Sequence, residues 1–268
     1  VKPSAFVPVA TDTGLILPLG RWVIEQATRH AARWPSLEVA ANLAARQLAD
    51  ADLVDFVADC LARHGVPPRQ LCLEVTEADL VTDPDAIVEQ LRRFKELGVR
   101  LAIDDFGTGF ATLDYLRRFS AADILKVDAS FVAGLDDPSS HDLAIVSAAL
   151  VLADNLGFDT VAEGVETAGQ SEVLERLGCE LAQGHLFSES VTAEAIVFIF
   201  AEVSSTEPPI LFRLLEMLSE DWATVLALEH FDQRQFVQPV QGNPLIRGQH
   251  HAHRVHLVEV LALGVDQG

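Results

Sequence analysis

The sequence predicts an α/β fold, a TIM-like barrel with parallel strands. Six short apolar strand segments are each separated from the next by a helix, the alternation of a parallel sheet covered by helices. A polar residue, Asn42, Glu74, Asp104, Lys126, Glu163 or Gln183, stands at or just past the C-terminal end of each segment. In a parallel barrel that edge is where separate strands aim their side chains at one site. A doubly wound open sheet would gather its ligand groups at a single crossover, and neither P-loop nor dinucleotide-binding glycine spacing is present.

The elements follow in order. From Leu19 to Trp34 apolar residues recur at helical spacing, and Pro35 stops the run before the strand LEVAAN, which ends at Asn42. A helix from about Asp52 to His64 ends at Gly65, and CLEV leads to Glu74. The next, from about Pro84 to Leu97, ends at Gly98, and VRLAID leads to Asp104. A short helix from Thr112 to Phe119 precedes DILKVD, and the long helix near Asp142 to Leu156 ends at Gly157 before FDTVAEG. The last, near Gln170 to Leu177, ends at Gly178 before CELAQG. The barrel domain is placed at residues 1–200 and an atypical extension at 201–268, where AEVSSTEPP reads as a linker, the following apolar stretch as one or two helices, and VHLVEVLALGV as a strand completing the sheet.

Composition narrows the function classes. With 268 residues, 49% of them hydrophobic and 22% charged, the chain closes a real core and is neither disordered nor a disulfide-stapled miniprotein. Nineteen basic against forty acidic residues, a net charge of -21, exclude a duplex-binding surface, while an acidic pocket filled by cations still accepts a phosphate ester. No apolar run reaches the roughly 20 residues of a membrane span, and the start VKPSAFVPVA lacks a signal-peptide pattern. The chain therefore reads as cytoplasmic, alone or as the cytoplasmic domain of a larger membrane protein, and its opening without Met reads as a piece of something longer. Cys60, Cys72 and Cys179 read as buried thiols of a reducing compartment. His250, His251, His253 and His256 lack a Cys or carboxylate at ligand spacing, so they read as a solvated tail and not a zinc site.

The chemistry lies at the strand tips. Glu74, Asp104, Asp105 and Glu163 repel one another if they converge without a countercharge. With the amide oxygen of Asn42 they form the hard donor set that Mg2+ or Mn2+ requires, and two ions bridged by an Asp suit phosphodiester hydrolysis. Lys126 ends an apolar run where an unpaired ammonium is costly; it either orients a water near the ions or forms a structural ion pair with Asp128 or a neighbour. Glu77, Asp128 and Glu166 read as supporting residues that hold loops. The glycines of DDFGTG fit a loop and not a phosphate cradle.

The segments ANLAARQL, LCLEVTEADL, LAIDDFGTGFATLDYL, ILKVD, TVAEGVET and AQGHLF stand in the order and at roughly the separations found in the bacterial EAL domain, the cyclic di-GMP phosphodiesterase, and the likeness covers about residues 3–190. The resemblance implies a modified (β/α)8 barrel that binds cyclic di-GMP in extended form and hydrolyses one phosphodiester to linear pGpG with two Mg2+ or Mn2+ ions. It implies Asn42, Glu74, Asp104, Asp105 and Glu163 as metal ligands, Lys126 as the residue that positions the attacking water, and Gln183 as one that helps orient it. Glu77 and Glu166 match the acidic residues of the ExTE and EGVE motifs, the latter implying support for the DFGTG loop. That loop, Phe106, Gly107, Thr108 and Gly109, resembles the one that links metal occupancy to dimerisation, and Arg46 resembles a residue near the substrate phosphate. A homodimer and an upstream sensory or diguanylate cyclase region are implied partners.

One departure stands out. The Glu-Ala-Leu motif of the family, whose Glu is a direct metal ligand, belongs before Lys2, and the strand preceding it is also missing from the sequence. An open barrel with exposed edges and slow or absent turnover is the expectation, with a cyclic di-GMP receptor or protein-interaction module as the alternative. FVQPVQG and RVHLVEVLALGV loosely echo the first two strands of the family, with Glu259 in the place of the lost ligand. SESV stands where a proline-containing turn is common in the family.

Overall fold

Seven parallel strands lie in the order β6-β5-β4-β3-β2-β1-β7 in the computed structural model of the chain. It describes residues 3–81, 84–109, 119, 121–137, 139–179 and 181–188, and the backbone alone of His256–Glu259. The strands are β1 (Leu37–Asn42), β2 (Leu71–Thr76), β3 (Arg100–Phe106), β4 (Ile124–Val127), β5 (Asp159–Ala162), β6 (Leu181–Ala182) and β7 (His256–Glu259). The helices are α1 (Pro3–Thr13), α2 (Ile16–Arg33), α3 (Ala45–Leu48), α4 (Leu53–His64), α5 (Pro84–Leu97), α6 (Ala129–Val132), α7 (Asp142–Leu156) and α8 (Ala168–Leu177). All the sequence-derived strands form. Gly65, Gly157 and Gly178 end α4, α7 and α8 in the left-handed conformation.

The fold is an incomplete parallel barrel: among the described residues no strand pairs with the outer edges of β6 and β7. The helix read from Thr112 to Phe119 lies outside the described residues except for Phe119, and so does the 201–268 extension except for β7. The sequence reading left residues 3–13 unassigned, yet they form α1 despite the internal Pro8.

Successive strand residues face opposite sides of a sheet, and here both sides are buried. Val39, Leu73, Leu101, Ile103 and Leu125 form the helix-facing rows. The stripe Ile24, Ala27 and Ala31 of α2 is sequestered with them in the same core. A second apolar cluster joins Val132, Val146, Ala149 and Leu150 to Val127 and Ala162 under α6 and α7. The strands read as near-continuous apolar runs for this reason.

The opposite rows line the barrel interior. Pairings of Asn42 with Glu74, of Thr76 with Asp104, of Ala102 with Ile124 and of Lys126 with Val161 put Asn42, Glu74, Asp104 and Lys126 on one face. Continuing through β5 and β6 adds Glu163 and Gln183. Lower on the same rows a second charged layer closes the base. Arg100 bonds Glu38 at 2.9 Å and Asp159 at 2.7 Å, and the Glu38 side chain is fully buried.

Candidate functional site

Each acidic tip residue reaches the interior because a strand ends there. Lys126 is the hub. Its Nζ lies 2.6 Å from Glu163 Oε1, 2.9 Å from Glu74 Oε2 and 3.1 Å from Asp104 Oδ1, with only 1% of its side chain exposed. Of the two roles open for Lys126 at the sequence level, the ion pair forms, with three strand-tip carboxylates and not with Asp128. Gln183 Nε2 donates to Glu163 Oε1 at 2.8 Å, so one carboxylate oxygen receives both groups and its rotamer is fixed.

Two adjacent aspartates reach one site only if the strand departs from regular pleating, since neighbouring residues otherwise point apart. Pairing of β3 with β4 shifts between Ile103 and Phe106. Asp105 sits at φ 55°, the one described non-glycine residue with positive φ, a conformation sparsely populated by residues with a β-carbon. Asp104, Asp105 and Glu163 thereby place one carboxylate oxygen each within 4.8 Å of one another. Burial, with Asp104, Asp128 and Asp79 nearby, pushes Asp105 up to about 6 against the opposing pull of Lys126. Clustered carboxylate oxygens are hard donors, and this donor set fits a divalent cation of the Mg2+ or Mn2+ type. Asn42, at the tip of β1 and in register with Glu74, borders the same row.

The DFGTG loop is clamped from below. Gly107 donates its N–H to Glu77 Oε2 at 2.8 Å, and the Glu77 N–H donates to the Asp104 carbonyl at 3.0 Å. Gly107 takes φ 100°, and a β-carbon there would sit 2.7 Å from the Phe131 ring, so only glycine fits. Thr108 Oγ1 donates to the Asp105 carbonyl at 2.9 Å, and Phe106 packs between the two apolar clusters.

Glu77 meets the DFGTG loop because it follows β2, the neighbour of β3, and Glu166 is exposed just before α8. Arg46 donates to the carbonyls of Thr11 and Asp12, tying α3 to the end of α1. Sequence reasoning also missed the Glu38–Arg100–Asp159 layer. Its signal was present: Glu38 alternates with Ala40 and Asn42 in one strand, so a buried tip row implies a buried Glu38. Cys60, Cys72 and Cys179 are buried thiols. Cys72 lies between the two charged layers, where burial, Glu38 and Glu74 push its thiol well up, leaving it protonated and inert.

The EAL domain model matches residues 1–190. The chain belongs to the EAL domain family. It is 43% identical over 202 residues to the bifunctional diguanylate cyclase/cyclic di-GMP phosphodiesterase MucR of Pseudomonas aeruginosa, covering 74% of this chain and 29% of MucR. It is 41% identical over 215 residues to the cyclic di-GMP phosphodiesterase NbdA of the same organism, covering 78% of this chain and 27% of that protein. The chain thus spans less than a third of the length of these relatives. Among solved EAL structures, the MucR phosphodiesterase in complex with c-di-GMP superposes with a TM-score of 0.69 at 43% identity, over 72% of this chain and 80% of that one. Klebsiella pneumoniae BlrP1 with manganese and cyclic di-GMP gives a TM-score of 0.58 at 36% identity, over 63% and 44%. Among the described residues no helix is long and apolar enough to cross a membrane.

Proposed function

We propose that this EAL domain hydrolyses cyclic di-GMP to linear pGpG, using two Mg2+ or Mn2+ ions held by Asn42, Glu74, Asp104, Asp105 and Glu163. The observation that carries this reading is the convergence of Glu74, Asp104 and Glu163 on Lys126 with Asp105 beside them. When bound, divalent ions supply Lewis acidity to the phosphate and lower the pKa of an attacking water. Lys126, an ammonium among three carboxylates, donates a hydrogen bond to that water and orients it toward phosphorus. Water oxygen forms the new P–O bond, the bond to one ribose 3′-oxygen breaks, and the proton released ends on that oxygen. Gln183 holds Glu163, and Glu77 holds the loop that carries Asp105.

The names of MucR and NbdA and the cyclic di-GMP in the MucR complex support the substrate, and the manganese of the BlrP1 complex supports the ion class. The bifunctional MucR supports an upstream cyclase or sensory region, and the proposed setting is the cytoplasm. A homodimer belongs to the same reading: α7 exposes the apolar side chains of Leu143 and Val151, which a second copy would cover.

Incubation with cyclic di-GMP and Mn2+, with products separated by chromatography, tests the reading. It expects pGpG, abolished by a chelator and by Glu163→Gln. Micromolar nucleotide binding without product would convert the domain to a receptor, and neither binding nor product would overturn the reading.

A further inference from the structure

We infer that Cys60, His64 and Glu25 form a second metal site, for a borderline-soft divalent cation of the Zn2+ type, in the outer helix layer. It is independent of the strand-tip chemistry. Cys60 and His64 stand four residues apart on α4 and so share one helix face. Glu25 meets that face from α2. Its Oε1 lies 2.8 Å from His64 Nε2, and its Oε2 accepts the Cys60 thiol at 3.2 Å. Sulphur, imidazole nitrogen and carboxylate oxygen are the donor types that zinc takes. α4 ends at His64 and the chain enters β2 at Leu71, so the cluster lies toward the base of the sheet, away from Glu74 at the far end of that strand.

A cation already occupies the centre of this cluster. The Arg63 guanidinium bonds both Glu25 oxygens, at 2.6 and 3.1 Å, and its Nη2 lies 3.1 Å from Cys60 Sγ. A positive group held by carboxylate and sulphur together marks the point where their lone pairs meet. Arg63 is 54% exposed, on a long stem free to swing into solvent. Cys60 is fully buried, and the side chains of Glu25 and His64 are 20% and 22% exposed. The guanidinium thus acts as a removable plug. Among the described residues only the strand-tip cluster has three such donors mutually within 4.8 Å; here the guanidinium holds sulphur and ring apart, and its withdrawal lets Cys60 and His64 turn inward.

Charge and softness set the ion. As the sulphur–metal bond forms, the S–H bond of Cys60 breaks and its proton passes to the buffer. One thiolate and one carboxylate then neutralise a divalent ion, as a largely buried place requires. The exposed side leaves the fourth tetrahedral position to water. The strand tips offer oxygen alone and suit hard ions, whereas sulphur and nitrogen here select a softer one, so the two sites sort metals by ligand type.

Titration of the full chain with CoCl2 in saturating MgCl2 tests the assignment. Magnesium fills an oxygen site, and only a sulphur ligand gives cobalt a thiolate charge-transfer band in the near ultraviolet. The parent is expected to show the band and to lose it when ZnCl2 displaces the cobalt. Cys60→Ala should abolish the band, His64→Gln and Glu25→Gln should weaken Co2+ binding about tenfold or more, and Arg63→Ala should tighten it by removing the competing cation. No band from the parent at millimolar Co2+ overturns the site, as does a band that survives Cys60→Ala or a parental affinity in His64→Gln. Should Cys60→Ala fail to fold, Arg63→Ala decides: tighter cobalt binding supports the site, and unchanged or weaker binding overturns it.

Discussion

Lys126 Nζ sits 2.6 Å from Glu163 Oε1, inside a ring of three carboxylates contributed by three different strands. A cation so placed offsets part of the strand-tip charge whenever no metal is present. Removing it leaves Glu74, which is fully buried, beside Asp104 and Glu163 without a countercharge. Breaking such a buried pair costs on the order of 3–5 kcal/mol.

Lys126→Met should therefore melt well below the parent chain without divalent ions and recover much of the difference when Mn2+ is added, while hydrolysis falls about 100-fold or more through loss of the oriented water. Thermal melts with and without Mn2+ check the first part. A variant that melts like the parent in metal-free buffer would remove Lys126 as the internal counterion.

Glu77 acts at one remove. Its carboxylate accepts the Gly107 N–H and its side chain lies against Gly109, so it positions the loop that follows Asp105. Glu77→Ala should lower Mn2+ affinity about tenfold and speed hydrogen exchange at the Gly107 amide, at a stability cost of about 1–3 kcal/mol. Unchanged exchange at Gly107 would show that the loop does not depend on this clamp.

These two residues also mark how far the sequence could be read. Lys126 was legible because an ammonium ending the apolar run DILK needs partners, but which partners depends on the register of β4 against β3, and the bulge at Asp105 breaks that register. Glu77 was visible as the second acid of LCLEVTEADL, but its contact with Gly107 is a neighbour relation between β2 and β3 that spacing along the chain does not encode. Helices and strands followed their periodicity closely because each buries a face of fixed period. Helix α1 escaped because its apolar positions are interrupted by Pro3 and Pro8 and carry little amphipathic contrast.

The lower charged layer gives a stability prediction separable from chemistry. Arg100→Met strands Glu38, which is fully buried and bonded to that guanidinium at 2.9 Å, and should cost about 3–5 kcal/mol. The double variant Arg100→Met with Glu38→Leu should recover most of that loss, because apolar groups of similar volume need no countercharge. Mn2+ affinity should hold in the double variant, since Ala40 stands between Glu38 and Asn42 on β1 and Ala102 between Arg100 and Asp104 on β3. Urea unfolding of the three proteins measures it, and a double variant no more stable than Arg100→Met would refute the buried-charge argument.

On the outer helices, Glu25 of α2 meets the end of α4. Its carboxylate lies 2.6 Å from Arg63 Nη2, 2.8 Å from His64 Nε2 and 3.2 Å from Cys60 Sγ. Partial burial alone would raise its pKa, but the bonds from His64, Arg63 and Cys60 outweigh this and bring it from 4.5 to about 2. Between those values the unfolded chain binds more protons than the folded one, so stability falls as pH falls. The contribution of Glu25 is complete above pH 4.5 and drains away as the pH drops through about 2. Arg63 is more than half exposed, so salt screening reduces the effect. Melting temperatures of the parent and Glu25→Gln, followed from pH 5 to pH 2 in low salt, should converge as the pH falls. A gap between the two that stays constant across that range would show that the α2–α4 contact draws nothing from this charge.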